Sequence, residues 1–360
     1  MKILICSEFF KPNVGGVEIH SEVLANYLSK NHKVTIATTF LNRTGKELKK
    51  KIVINEFKIK GSLVKGYSGE VKKYENFLLN SNFDIIFFNA AQQWTFDLAL
   101  PILDKIKSKK IFFPCGFSRL NNIFFKPYFE ILKIKLKYFD EIICCSKNWK
   151  DYKFCKKYFK KKINIVSNGS FTLKNKKQKN NLVIKYVSVS NLKYLKGQDR
   201  IVNIFENIDH PAILKIYYSN YSILFKIYLF LKIVIFNKLN KNKKIYLIHE
   251  RKRIDMSKAL SGANSFIFGS RIEYNPLVVF ESMAAGVPFV SFDVGIIKEI
   301  INKDMLGFVS NDKFKISKYL NNLNSSNYNK YKIIQNFEKN FNWKKILKKY
   351  NRIFKKYERK

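Results

Sequence analysis

The sequence predicts an α/β fold: two doubly wound parallel sheets in succession, each built from short apolar strands joined by amphipathic helices. Three observations predict it. Short apolar runs alternate with helix-spaced stretches over roughly the first half, a polar segment interrupts the pattern, and a second alternating series follows. The length of 360 residues suits two domains of about 150 to 180 residues each.

In the first series, residues 2–6, 33–38, 84–89, 110–114, 141–146 and 163–167 read as strands, being short runs rich in β-branched and aromatic side chains. Residues 17–30, 94–108 and 147–161 carry apolar side chains at helical spacing and read as crossover helices. Right-handed crossovers between parallel strands make a doubly wound sheet the simplest topology. Residues 172–181 (TLKNKKQKNN) hold a single apolar residue and mark an exposed connection. Beyond it, residues 182–190, 212–219, 244–249, 265–270 and 289–293 read as strands of a second Rossmann-type unit. The tail has a helical pattern. The expected organisation is a first domain over 1–171, a linker over 172–181, a second domain over 182–325, and helices over 326–360 that pack back on the domains.

Composition excludes some classes and leaves others open. With 46% hydrophobic and 16% aromatic residues the chain can build a core, so general disorder is excluded. Cys6, Cys115, Cys144, Cys145 and Cys155 form no Cys-x-x-Cys pair, so neither a disulfide framework nor a zinc site is expected. They read as reduced thiols of a cytoplasmic protein. Residues 1–6 run straight into a strand without the succession of a secretion signal. The net charge of +41 favours an anionic partner: a phosphate ligand, nucleic acid or an acidic membrane surface. Yet Lys outnumbers Arg 60 to 8, beside abundant Asn, Ile, Phe and Tyr, which is also the output of an AT-rich genome, with lysines filling solvated surface. No zinc finger, RNA-binding aromatic motif or helix-turn-helix is visible, so a nucleic-acid partner is not expected.

Two apolar stretches bear on membranes. Residues 221–236 are too short, and with Lys226 and Lys232 too charged, to span a bilayer, and read as a crossover helix packed on the sheet. Residues 123–138 interleave aromatics with Lys126, Lys133, Lys135 and Lys137. They read either as an interfacial surface or as a helix with a solvated lysine face, and clustered lysines continue to residue 162.

The segment with the most chemistry is 269–295, GSRIEYNPLVVFESMAAGVPFVSFDVG. A strand ends at Ser270, and the following loop carries Arg271 and Glu273. Asn275 is expected to cap a helix whose first ring residue, Pro276, lacks an N–H that is not needed there, and Gly286 to stop it. The first-turn N–H groups near Leu277 and Val278 would then face the loop and suit a phosphate. Glu281 lies one turn on, among apolar neighbours, where a carboxylate needs donors such as sugar hydroxyls. Glu273 can accept from sugar hydroxyls or stabilise a cation-like transition state. Taken singly, Glu273 reads more readily as a solvated loop residue and Glu281 as half of a salt bridge. Lys196 precedes Gly197 at a helix start, where an ammonium and free N–H groups together suit phosphate oxygens. His20 and His32 read as packing or surface residues, Trp343 as core, and His249 with Arg251 and Arg253 as a weaker donor-contact candidate. Gly15 and Gly16 lack the G-x-G-x-x-G pattern, which disfavours nicotinamide binding.

Glu273 and Glu281, with Asn-Pro-Leu between and Ala-Ala-Gly-Val-Pro after, closely resemble the donor-site signature of glycosyltransferase family 4, of the GT-B fold. Residues 9–18 (FFKPNVGGVE) resemble that family's first strand-to-helix loop, where paired glycines, here Gly15 and Gly16, approach the diphosphate and acceptor. Asn168-Gly169, Val189-Ser190-Asn191-Leu192, Lys196-Gly197-Gln198-Asp199 and Gly295 with Glu299-Ile300 are similar to later landmarks, in the family's order. The resemblance implies two Rossmann-like doubly wound domains facing a cleft, with a C-terminal helical tail. It implies a retaining, metal-independent transferase that needs no cofactor and moves a sugar from a nucleotide-diphosphate-sugar to a glycan or lipid-linked acceptor, in cell-surface polysaccharide or glycolipid synthesis. Glu281 would hold the nucleotide ribose, Glu273 contact the donor sugar and Lys196 neutralise the diphosphate, with Asn191, Asn275, Pro276, Leu277 and Val278 lining the donor site. The family usually has Arg where Asn191 stands, so one diphosphate contact is either missing here or supplied from elsewhere, with Arg271 the candidate. Cys115, in residues 114–118 (PCGFS), stands where the family often has His. An anionic membrane surface on the inner face of the cytoplasmic membrane is a possible partner. The alternatives are a GT-B epimerase or phosphorylase, an inactive GT-B binding module, and a polybasic nucleic-acid-binding protein.

Overall fold

Strands buried on both faces need helices on both faces, and the first unit meets that demand with the apolar runs seen in the sequence. The computed structural model describes residues 1–41, 52–173, 183–250, 254–301, 306–323 and 328–358. Contacts divide the chain into one unit of Met1–Ser167 with Ile346–Lys360, and a second of Asn168–Lys345.

In the first unit β1 (Lys2–Cys6), α1 (Gly16–Leu28), β2 (Lys33–Thr39) and β3 (Ile52–Phe57) are followed by a small antiparallel hairpin, β4 (Ile59–Ser62) and β5 (Gly66–Gly69). Then come α2 (Val71–Leu79), β6 (Ile85–Asn89), α3 (Trp94–Asp97), β7 (Lys109–Phe113), α4 (Lys126–Lys135), β8 (Glu141–Cys144), α5 (Lys150–Tyr158) and β9 (Ile163–Ile165). The sheet runs β3-β2-β1-β6-β7-β8-β9 and is parallel throughout. The helix expected over 94–108 is shorter: α3 ends at Asp97 and a 3-10 turn covers Leu100–Ile102. Pro101 explains this, since its ring and missing N–H do not allow an α-helix to run through it. The core is strongly aromatic. Phe96 stacks on Phe112 with centroids 4.4 Å apart, and Phe112 stacks on Phe139 at 5.0 Å.

The second unit runs β10 (Ile184–Val189), α6 (Gln198–Glu206), β11 (Ala212–Tyr218), α7 (Ile223–Leu239), β12 (Lys243–His249), α8 (Met256–Leu260) and β13 (Ser265–Phe268). It continues through α9 (Leu277–Ala284), β14 (Phe289–Ser291), α10 (Ile297–Ile301), β15 (Gly307–Val309), α11 (Lys313–Asn321) and α12 (Lys330–Asn340). Its sheet is again parallel, in the order β12-β11-β10-β13-β14-β15.

The tail divides between the units. Phe341 packs on Phe280 of α9 with centroids 4.9 Å apart, so α12 and the turn after it stay with the second unit. The last helix, α13 (Trp343–Lys355), carries the chain back to the first unit, which takes residues from Ile346 onward. There Tyr350 and Phe354 pack on Phe87, Lys356 pairs with Glu141 at 2.6 Å, and the Tyr357 hydroxyl donates to the same carboxylate at 3.0 Å. Trp343 is core, as the sequence suggests. Of the expected linker, Thr172 is bonded to Glu338 at 2.7 Å, while residues 174–181 lie outside the described residues. All five cysteines are free thiols.

Candidate functional site

In a doubly wound sheet the loops leaving the carboxyl ends of the strands diverge where strand order reverses, and ligands lie there. In the second sheet that point falls between β10 and β13. The loops leaving these two strands carry Asn191 and Lys196 on one side, and Arg271 and Glu273 on the other.

Backbone proximity knits the two loops together. Gly197 has φ +65°, and a Cβ there would collide with the Gly269 carbonyl oxygen; a Cβ on Gly269 would strike the Gly197 oxygen in return. Ser270 Oγ and the Arg271 N–H both donate to the Leu195 carbonyl, at 3.1 and 2.9 Å. Lys196 Nζ is thereby placed on Glu273 Oε1 in a partly buried ion pair. The cation assigned to the diphosphate and the carboxylate assigned to the sugar are direct partners.

Arg271 does not stand in for the arginine missing at Asn191. Its guanidinium grips Asp199 in bidentate fashion at 2.8 and 2.6 Å, donates to the Tyr194 carbonyl at 2.7 Å, and lies 3.9 Å over the Tyr194 ring. Asp199 neutralises it, and that hydrogen bond raises its pKa. A basic neighbour missed in the sequence is Arg200, stacked 3.3 Å over Phe292, whose pKa is lowered by burial and then by Arg271. Its signal was its place directly after the Lys-Gly-Gln-Asp string. Also missed was Gln198, fully buried, which donates to Ser190 Oγ at 2.7 Å and to the Asn191 carbonyl at 2.8 Å. Asn191 Oδ1 accepts from Ser219 at 3.2 Å.

Helix α9 begins one residue later than expected. Pro276, with φ −70° and ψ 133°, is the N-cap, and no side chain caps the turn. Asn275 sits one residue further out, where its carbonyl accepts from Asn168 Nδ2 at 3.1 Å. A fixed proline φ followed by an extended ψ holds the cap position itself, which displaces Asn275 from it. Leu277 and Val278 then form the first turn, whose N–H groups have no carbonyl within the helix. Val278 and Glu281 are its partly exposed stripe, and the remaining residues are buried. Gly286, with φ +68°, follows the helix end as expected. Gly295 lies so close to the Tyr274 carbonyl that a Cβ would collide with it, which holds the later loop against Glu273–Tyr274 backbone.

The first sheet reverses between β1 and β6. There the Glu8 N–H donates to Gln93 Oε1 at 3.2 Å, and residues after β6 and β7 adopt left-handed backbone without being glycine: Ala90, Gln92, Cys115 and Phe117. Two acids missed in the sequence, Glu8 and Asp97, gather in this unit with Glu18. Burial, then Asp97 and Glu18, push Glu8 up to about 7. Burial lifts Asp97 to about 6 against hydrogen bonds from Tyr67, at 2.6 Å, and Tyr128. Glu18 is raised by burial, and its carboxylate folds over Gly15, the extended N-cap of α1. An anion approaching Gly15 and Gly16 would meet a carboxyl group at this turn. Burial pushes the Cys115 thiol up, and its Sγ lies 4.0 Å from Asn89 Oδ1. His20 is a packing residue: it stacks on Phe113 at 4.7 Å, lies 2.8 Å from the Tyr350 hydroxyl, and is driven down to about 3 by burial. His32 is buried 3.6 Å from Glu358. His249 stacks on Tyr218 on the edge strand β12, two strands from the reversal, and Arg251 and Arg253 lie outside the described residues.

Residues 170–341 match the family model described as Glycosyl transferases group 1. No curated protein matches the chain. Among solved structures, sucrose-phosphate synthase from Thermosynechococcus elongatus is similar at TM-score 0.78 and 13% identity, covering 99% of this chain and 98% of its own. HepE of Anabaena, solved with UDP and glucose, gives TM-score 0.74 and 14% identity over 99% and 100%. A glycosyltransferase from Rickettsia africae gives 0.73 and 18% over 99% and 98%. The chain has the GT-B fold, and its second unit carries the sequence pattern of the group 1 glycosyl transferases.

Proposed function

We propose that the protein is a retaining glycosyltransferase that takes a sugar from a nucleoside-diphosphate donor on its second unit and passes it to a glycan or lipid-linked acceptor. Within the GT-B enzymes this reading places it with family 4, in the cytoplasm, in cell-surface polysaccharide or glycolipid synthesis. The observation that carries it is the Lys196–Glu273 pair at the strand reversal of the second sheet, on loops welded by Gly197 and Gly269.

The roles follow from charge and position. Lys196 and the first-turn N–H groups of Leu277 and Val278 meet the diphosphate, with Asn191, Asn275 and Pro276 shaping its surroundings. Glu281, on the partly exposed stripe of α9, accepts from the ribose hydroxyls. When the donor arrives, Lys196 exchanges Glu273 for phosphate oxygens, and the released carboxylate turns to the sugar. Negative charge developing on the leaving diphosphate as the sugar–oxygen bond breaks is then met by the ammonium and N–H groups of the chain itself, so transfer proceeds without a metal ion. In the first unit the acceptor meets the loops leaving β1 and β6, beside Gly15 and Gly16.

Thermal-shift measurements with UDP, GDP, ADP and their sugar conjugates test donor binding, because a ligand of the native state raises apparent stability. A panel of donors with and without acceptor, in EDTA, then tests transfer. Stabilisation by one nucleotide and its conjugate, with acceptor-dependent release of the nucleotide, is expected. No stabilisation by any of them overturns the reading, and turnover that needs no acceptor, or needs inorganic phosphate, replaces it with an epimerase or a phosphorylase.

A further inference from the structure

Helix α7 was expected to lie buried on its sheet, and only one side of it does. Phe225, Leu229, Ile233 and Phe236 face the core of the second unit, yet nine of the helix's 17 residues are large apolar side chains in solvent. Leu224 is 81% exposed and Leu239 77%, with Ile227, Leu231, Val234 and Ile235 between them. At about 100° per residue these side chains fan over about half the circumference of a rod about 25 Å long. A helix that is apolar all round is ordinarily covered on all sides, and a continuous exposed apolar face marks a docking surface.

Charge identifies what docks. No Asp or Glu occurs between residues 221 and 249, while six lysines do: Lys243 and Lys244 donate to backbone carbonyls of the unit, and Lys226, Lys232, Lys238 and Lys241 are the others. Lys226 and Lys232 emerge at the two borders of the apolar fan, and Lys238 near its end. Lys226 lies 4.4 Å over the Tyr221 ring, and Lys232 reaches Glu206 at 3.3 Å. An apolar face rimmed by lysines fits acyl chains beneath anionic head groups, since lysine stems run along apolar surface and hold the ammonium in water. A second copy fits poorly, because two-fold pairing of α7 would set lysine rims against each other. None of the described helices is long and apolar enough to cross a membrane, so the contact is in the plane of the surface.

We propose that the outer face of α7 seats the second unit in the interfacial layer of an anionic lipid bilayer. The lysine-rich stretch in the first unit is less suited to this, because over residues 123–138 only Ile123, Phe124, Ile131 and Ile134 are large apolar side chains in solvent, against nine on α7. The inference does not rest on the proposed chemistry, because docking requires no donor.

The test is flotation of the full chain with phosphatidylcholine vesicles, with and without about 30% phosphatidylglycerol, at low and physiological salt. Wild type should float with the anionic vesicles and lose affinity as salt rises. The exposed double variant Leu231→Glu/Ile235→Glu should lose affinity at least about tenfold, while keeping the wild-type melting profile and nucleotide thermal shifts. Changing Lys126, Lys133, Lys135 and Lys137 to Gln should leave vesicle affinity within about twofold. As a second variant, Leu224→Trp should add blue-shifted emission with anionic vesicles. The proposal is overturned if wild type fails to float, if the double variant floats as wild type does, or if Leu224→Trp shows no shift. It is equally overturned if the double variant instead dissociates a wild-type dimer with vesicle affinity unchanged.

Discussion

The ribose contact proposed for Glu281 predicts that Glu281→Ala weakens nucleotide-sugar binding by about 1.5 to 3 kcal/mol, read by calorimetric titration of the folded variant. Glu273→Gln keeps the shape of the side chain and loses its charge, so donor binding should survive while turnover falls. A double-mutant cycle with Lys196→Ala should show non-additive stabilities, since each residue is the other's partner. Independence of the two would argue against a shared site. A further residue-scale prediction concerns pH. Glu8 is raised from 4.5 to about 7 in the folded chain, so the folded state holds its proton more tightly. Its contribution to stability is full below the unfolded value and is lost as pH rises through about 7. Glu8→Gln should therefore raise the melting temperature near pH 8 and leave it little changed near pH 4. His20 acts in the opposite sense: its folded value near 3 costs stability as pH falls below 6.5. At this scale Glu273 and Glu281 could be singled out from the sequence, because their spacing is local. It did not reveal Glu8 and Asp97, because their surroundings come from residues far along the chain.

At the scale of elements, the donor loops depend on a close backbone crossing. Gly197→Ala adds a Cβ at φ +65° directly against the Gly269 carbonyl, so a left-handed penalty of about 1 to 2 kcal/mol comes on top of a collision. The variant should unfold at lower denaturant and lose the nucleotide thermal shift, while a Gly66→Ala control at φ +77°, with open space around it, should suffer the backbone penalty alone. Strands were legible because buried parallel strands are continuous apolar runs. Boundaries were less so: Pro101 cuts the helix predicted over 94–108, and Pro276 takes the cap expected of Asn275. β3 was not read because, at the edge of its sheet, it carries Asn55 and Glu56 and is not a continuous apolar run. The exposed side of α7 was illegible for a different reason, since an apolar helix looks the same in sequence whether one side or both are covered.

For the whole molecule, two alternating series of strands and helices pointed to two sheets, but the units divide between Ser167 and Asn168, ahead of the polar run over 172–181, and the return of the tail was visible only as a helical pattern. Which core it completes is a matter of shape: Tyr350 meets His20 across 330 positions of sequence. Tyr350 is fully buried, so Tyr350→Ala should cost about 3 to 5 kcal/mol of first-unit stability in equilibrium denaturation. Hydrogen exchange should show that loss in β6 and β7 and leave β10 and β13 protected. Equal loss in both units would show them to be one cooperative body.

The return of residues 346–358 to the first unit also fixes an order of events at the ribosome. The segment that completes the core around Phe87 is translated only after about 180 residues of the second unit. At roughly 5 to 20 residues per second, that interval lasts about 10 to 35 seconds. Throughout it the nascent first unit lacks the two side chains, Tyr350 and Phe354, that pack on Phe87 in the folded protein, so its core cannot be completed until the end of synthesis.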